Sequence, residues 1–168
     1  LEAYYNKGLG ESNSCKINEK KDPHIKQIIF DWALNPSFCS DENTAMRIFE
    51  SYPDVYDSIR INPEFYKKLI SYLPKKYQKK FNLTNRMSMW NINEIVMGTK
   101  LPKVEDFSED KFKDINQIVK FYIVYDRYIS MVGFGKTDEA KTLWNKFYGK
   151  KEVENDSNII RFVNIYTF

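Results

Sequence analysis

The chain of 168 residues carries its clearest chemical signal in a run of lysines between Lys67 and Lys80. No acidic residue interrupts this run, and two of its lysine pairs stand at i, i+4 spacing, where like charges slightly destabilise a helix. Such a row is usually a solvated face. The functional alternative is a site for an acidic protein, a polyanion or anionic lipid headgroups. The candidate anion- or partner-binding residues are Lys67, Lys68, Lys75, Lys76, Lys79 and Lys80.

Residues for catalysis or metal binding are scarce, because the chain holds a single histidine, His24. Beside Pro23, at the start of a predicted helix, a lone histidine is typically a surface or capping residue. A metal site needs three or four suitably spaced ligands, which His24 and two distant cysteines do not supply. The chain also lacks a nucleophile elbow, a phosphate-binding glycine loop and a zinc-protease motif. We therefore predict no catalytic residue, no metal and no cofactor.

The two cysteines, Cys15 and Cys39, flank the first predicted helix. That helix is about 20 Å long, and residues 16–22 can double back over about the same length when extended. A disulfide is therefore feasible; it would contribute about 3.5 kcal/mol through chain entropy and would indicate secretion. Two unrelated buried thiols are the equal alternative. The compartment stays open, with an extracellular location slightly favoured.

One carboxylate, Asp126, lies within the most apolar stretch of the chain, with Tyr122 and Ser130 at i−4 and i+4. A buried charge without a partner is very costly, so a buried Asp126 must be hydrogen-bonded. Tyrosine hydroxyls or a lysine from another helix could serve. Asp126 is thus a candidate buried polar residue, and its simplest interpretation is a paired core aspartate or one on a narrow polar seam.

The element predicted to position all others is a helix over about residues 109–132, with Ser108 as N-cap and Gly133 at the C′ position. Its second half is apolar on nearly every side, which is typical of the buried centre of a bundle. We accordingly expect Val124→Asp to unfold the domain and Lys120→Glu to be nearly silent. The predicted solvent stripe of this helix consists of Lys113, Asn116, Lys120 and Arg127.

The flanking segments show helical spacing with proline and glycine at their ends. Asp22-Pro23 and Asn62-Pro63 combine an N-cap with proline at N1. A helix over 86–97 is predicted to face inward through Met89, Trp90, Ile92, Ile95 and Val96. The tail at 159–168 fits a helix or a strand, and we predict a helix because no other segment offers a strand partner.

The predicted architecture is therefore all-α. It is a compact bundle of about seven or eight helices around a central long helix. A flexible N-terminal arm at 1–21 precedes a single helical domain at 22–168.

Composition narrows the function without fixing it. No apolar run is long enough to span a membrane, and a net charge of +3 is too small to indicate nucleic-acid binding by the whole protein. The aromatic share of 16% suits an interface. We therefore predict a non-catalytic helical protein that binds a protein partner, with secretion and oligomeric state left open. The alternatives are a carrier of a small apolar ligand in the helical core and a lysine-driven nucleic-acid or polyanion binder.

Overall fold

The computed structural model of the chain describes residues 23–35, 37, 42–84 and 86–149. These residues contain eight α-helices, two short 3₁₀ turns and no strand, which confirms the predicted all-α class. The helices are α1 (Pro23–Ala33), α2 (Glu42–Ser51), α3 (Pro53–Arg60), α4 (Pro63–Ser71), α5 (Lys75–Gln78), α6 (Met89–Met97), α7 (Gln117–Gly133) and α8 (Thr137–Phe147). The 3₁₀ turns are Val104–Asp106 and Glu109–Phe112. The described residues fall into two compact units, divided after Ile61.

The first unit, residues 23–61, is built from α1, α2 and α3, and α3 packs against both of the others. α1 and α3 begin with proline, whose fixed φ suits the first helical position. The rings of Phe49 and Tyr56 lie 5.3 Å apart and join α2 to α3. The buried apolar residues of this unit are Ile29, Trp32, Ala33, Leu34, Ala45, Met46, Ile48, Phe49, Val55, Tyr56 and Ile59.

The second unit, residues 62–149, is built around α7, which packs against α6 and α8. Trp144 of α8 lies 6.3 Å from the ring of Phe121 and 6.4 Å from that of Tyr125. Phe65 of α4 meets Tyr122 edge-on at 5.0 Å. Such ring pairs contribute about 0.5–1.5 kcal/mol each beyond the area they bury. The buried residues of α7 are Ile118, Val119, Phe121, Tyr122, Ile123, Val124, Tyr125 and Met131.

The central helix begins at Gln117, later than the predicted start near residue 109. Ser108 caps a helix as expected, but the element that it caps is only a 3₁₀ turn. Asn116 then caps α7, its side chain accepting a backbone N–H two residues on at 2.9 Å. Residues 113–116, between the 3₁₀ turn and α7, are not helical. The second cap at Asn116 therefore marks a later start for the helix that the sequence pattern predicts.

Lys120 does not lie on a solvent stripe, so the prediction for this residue is wrong. It falls within the run of buried α7 residues, and its side chain is only 20% exposed. Its Nζ atom lies 5.2 Å from the ring centroid of Phe147, 5.8 Å from that of Tyr148 and 6.0 Å from that of Phe112. The same atom is 3.2 Å from Oε2 of Glu109. We call these five residues the Lys120 clamp.

The inward face of α6 also differs from the prediction, because Trp90 is 53% exposed. Buried positions repeat at i, i+3, i+4 and i+7 from Met89, and Trp90 lies off that face. Asn93 is buried instead, and its Nδ2 atom donates to the carbonyl of Lys100 at 3.3 Å. The helix ends at Gly98, as predicted, in the left-handed region with φ of 83°.

Three sequence predictions concern residues outside the described ranges. They are the flexible arm at 1–21, the disulfide candidate formed by Cys15 and Cys39, and the helix at 159–168. The single domain over 22–168 likewise stays a prediction.

Candidate functional site

The six candidate lysines lie on α4, on α5 and directly after α5, and all of them are exposed. The junction between the two helices is fixed by Gln78, whose Nε2 atom donates to the carbonyls of Leu73 at 2.7 Å and Ser71 at 3.3 Å. The structure therefore presents the α5 lysines from one short, anchored segment. We call the following residues the lysine surface: Lys67, Lys68, Lys75, Lys76, Lys79 and Lys80.

Only two residues of the lysine surface form an ion pair with the described acidic residues. Lys67 Nζ lies 3.0 Å from Glu64 Oε1, and Lys76 Nζ lies 3.7 Å from Asp114 Oδ2. Exposed pairs of this kind contribute at most about 1 kcal/mol each. Four positive charges thus remain without an acidic counterpart in the described part of the chain. They belong to Lys68, Lys75, Lys79 and Lys80.

The ring of Tyr77 lies near two ammonium groups of the lysine surface, those of Lys76 and Lys80. Lys76 Nζ is 5.1 Å from its ring centroid, and Lys80 Nζ is 5.9 Å from it. The negative face of an aromatic ring attracts a cation at this range. The Tyr77 ring therefore attracts two lysines of the lysine surface.

A second polar arrangement surrounds Arg127, which was predicted to lie on the solvent stripe but is half-buried. Its Nε atom donates to the carbonyl of Pro102 at 3.1 Å, and its Nη1 atom donates to Ser130 Oγ at 3.3 Å. Burial lowers the pKa of the Arg127 guanidinium, and the charge of the adjacent Asp126 offsets part of that shift. Asp126 itself is half-buried. The hydrogen bond from Arg127 to the Pro102 carbonyl links α7 to the loop that contains Pro102.

That loop, between α6 and the Glu109–Phe112 turn, is fastened by three side chains that sequence reasoning did not identify. Its carbonyls at alternate residues, 100, 102 and 104, each accept a hydrogen bond from a different helix. The donors are Asn93 Nδ2 of α6 at 3.3 Å, Arg127 Nε of α7 at 3.1 Å and Lys146 Nζ of α8 at 3.4 Å. Side-chain contacts of this kind leave no local periodic pattern, so the sequence gives no sign of them.

An exposed apolar surface lies where α7 ends. Phe134 is 78% exposed, more than any other large apolar side chain of the described residues. Leu101, which precedes Pro102 in the loop that Arg127 contacts, is 47% exposed.

Two further observations concern the single histidine and the acidic side chains of the described residues. His24 is exposed on α1. Within the described ranges, no group of three or more histidine, cysteine, aspartate or glutamate side chains is placed to hold a metal ion. No described helix has the length and apolar character needed to cross a bilayer.

Comparison with known proteins adds no family. The chain matches no protein-family model, no curated protein and no solved structure. The functional proposal therefore rests on the residues of this chain alone.

Proposed function

We propose that the protein is a non-catalytic helical interaction protein and that Phe134 anchors a protein partner. The observation that supports the proposal is the 78% exposure of this ring. At that exposure Phe134 contributes little to the core of its own unit. Burial against a partner would instead contribute about 1.5–3 kcal/mol. Aromatic side chains of this kind are typical anchors of protein interfaces.

The backbone that carries Phe134 is already fixed. Three successive N–H groups, from Phe134 to Lys136, donate to carbonyls in the last turn of α7 at 3.1, 3.0 and 2.8 Å. Gly135 then adopts φ of 78°, a left-handed conformation that glycine accepts without strain. An anchor presented from an ordered connector loses little conformational entropy on binding. A partner pocket would therefore meet the ring in a defined position.

The fastened loop extends the proposed interface. The carbonyl of Pro102 in this loop accepts a hydrogen bond from Arg127 of α7. Leu101, the residue before Pro102, offers a second exposed apolar side chain. Because interface energy concentrates in a few central side chains, we expect Phe134 to contribute more to binding than Leu101.

Site-specific photocrosslinking tests the proposal. A photoreactive phenylalanine analogue at position 134 should crosslink one protein reproducibly in extract of the cells that produce the chain. The matched control places the same analogue at position 61, because Ile61 is 72% exposed but lies in the other unit. Identical products from both positions, or no product at 134, would refute the proposal.

A substitution then measures how much the ring contributes. With the crosslinked protein in hand, Phe134→Ser should weaken its binding about 30-fold, the equivalent of a hot spot of about 2 kcal/mol. The free energy of unfolding should change by less than about 0.5 kcal/mol, because the ring is exposed. Unchanged affinity would show that Phe134 is not the anchor.

A further inference from the structure

We propose that the lysine surface binds an anionic lipid surface, independently of the protein partner at Phe134. The proposal rests on two features that occur together: four lysines without an acidic counterpart, and an exposed apolar side chain shortly after them in the chain. The lysines are Lys68, Lys75, Lys79 and Lys80, and the apolar residue is Leu83.

The segment of the chain that contains the lysine surface has basic residues and no acidic ones. Residues 65–93 contain six lysines and one arginine, with no aspartate or glutamate. Lys75 with Lys79 and Lys76 with Lys80 are i, i+4 pairs that repel each other. A dense layer of negative headgroups would relieve that repulsion at all four positions at once. Electrostatic attraction to such a layer grows with the number of basic side chains that reach it.

Lysine chemistry favours headgroups over a specific acidic segment or a nucleic acid. Arginine presents a planar fork that pairs carboxylates and phosphates in two-point contacts, and it dominates sites that read such groups specifically. The lysine surface contains no arginine, and Arg86 is the only one in residues 65–93. Lysine is a flexible point charge that needs no fixed geometry. It therefore suits a laterally mobile anionic surface.

Exposed apolar side chains supply the second component of interfacial binding. Leu83 is 54% exposed and follows Lys80 by three residues, at most about 10 Å of chain. Trp90, further along the same acid-free stretch, is 53% exposed. Peripheral proteins combine basic residues with such side chains, which enter the boundary between headgroups and acyl chains. We expect Leu83 to enter that boundary while the lysines remain among the headgroups.

Vesicle co-sedimentation tests this proposal with the full chain. Binding to vesicles of phosphatidylcholine mixed with phosphatidylserine should exceed binding to phosphatidylcholine alone and should fall as salt rises. Each lysine near the membrane contributes about fivefold to partitioning, so changing four to glutamine should lower it by about 600-fold. The four substitutions are Lys68→Gln, Lys75→Gln, Lys79→Gln and Lys80→Gln.

A charge-matched control separates the surface from net charge. It replaces four exposed lysines elsewhere in the second unit and should lower partitioning by less than about threefold, through long-range attraction alone. Equal losses in both variants would overturn the assignment to the lysine surface. The control substitutions are Lys111→Gln, Lys113→Gln, Lys136→Gln and Lys141→Gln.

Three further measurements complete the test. Leu83→Ser should weaken binding about tenfold even at high salt, because it removes an apolar contribution. Phe134→Ser should leave vesicle binding unchanged, which separates this proposal from the protein interface. Absence of binding to phosphatidylserine vesicles would overturn the proposal. So would tighter, lysine-dependent binding to a polyglutamate peptide or a duplex oligonucleotide.

Discussion

The Lys120 clamp permits a quantitative test of how α7 is held in the second unit. Lys120→Met keeps the apolar stem of the side chain and removes its charge. The ammonium lies within 6.0 Å of three ring centroids and its side chain is 20% exposed, so its attraction to the rings should approach the desolvated value of about 2 kcal/mol. Glu109 is 72% exposed, and its ion pair should contribute at most about 0.5 kcal/mol.

Lys120→Met should therefore lower the free energy of unfolding by about 2 kcal/mol, or the melting temperature by about 4–8 °C for a chain of this size. Urea unfolding followed by far-ultraviolet circular dichroism measures the change. Lys113→Met is the matched control, because Lys113 is exposed just before α7, and it should change stability by less than about 0.5 kcal/mol. The clamp also reverses the expectation for Lys120→Glu. That variant brings a negative charge to the ring faces and to Glu109, so it should lower the free energy of unfolding by more than Lys120→Met does.

Two outcomes would contradict this reasoning. Equal stabilities of Lys120→Met and Lys113→Met would show that the rings do not stabilise the ammonium. A loss of about 2 kcal/mol in the free energy of unfolding of Glu109→Gln would show that the ion pair is the main interaction. We expect a much smaller loss, because Glu109 is largely exposed and water screens the pair. Lys120→Arg should recover most of the lost stability, since guanidinium also binds aromatic faces.

Three other substitutions test the fold. Val124→Asp places an unpaired charge at a fully buried position and should abolish the cooperative thermal transition, whereas Val124→Ile should retain it. Gly135→Ala should lower the free energy of unfolding, measured by chemical denaturation, by about 1–2 kcal/mol, because φ of 78° strains any residue with a Cβ. The added Cβ would meet no atom within 4 Å, so the loss would come from the backbone alone. Unchanged stability would contradict the left-handed conformation of Gly135. Arg127→Met removes the donor to the Pro102 carbonyl and should cost about 1–3 kcal/mol while raising amide exchange in residues 99–104; unchanged exchange would show that Arg127 does not hold the loop.

The sequence predicts the helices of this protein well wherever local chemistry decides. Pro23 and Asn62-Pro63 mark helix starts that the structure confirms, and Gly98 marks an end. These signals act within one turn, since a cap or a fixed φ needs no distant partner. The apolar residues of α7 likewise predict a buried helix, and the structure buries residues 118, 119 and 121–125, whereas residues 126–130 are half-buried and Val132 is 41% exposed.

Predictions that depended on distant contacts were wrong. Ser108 is a proper N-cap, yet the element that it starts is a 3₁₀ turn, and α7 begins only after a second cap at Asn116. Lys120 and Arg127 are charged residues on a helix and were assigned to solvent, but aromatic rings and a loop carbonyl from elsewhere in the chain hold them. The lysine surface could be predicted from the sequence, because charged residues are recognised by their type. The exposure of Phe134 could not be predicted, because composition does not distinguish a buried ring from an exposed one.

The residues that fold the second unit and those proposed to bind are therefore largely separate sets. The lysines of α5 and Phe134 are exposed, whereas α7 is held by buried rings and by the Lys120 clamp. Variants of the two proposed surfaces should accordingly keep their stability and combine additively, since distant sites without shared partners rarely couple. A variant with Phe134→Ser and the four substitutions in the lysine surface should lose both partners and still unfold like the wild type. Loss of stability in that variant alone would show that the two surfaces are energetically coupled, and the separation of folding from binding would be wrong.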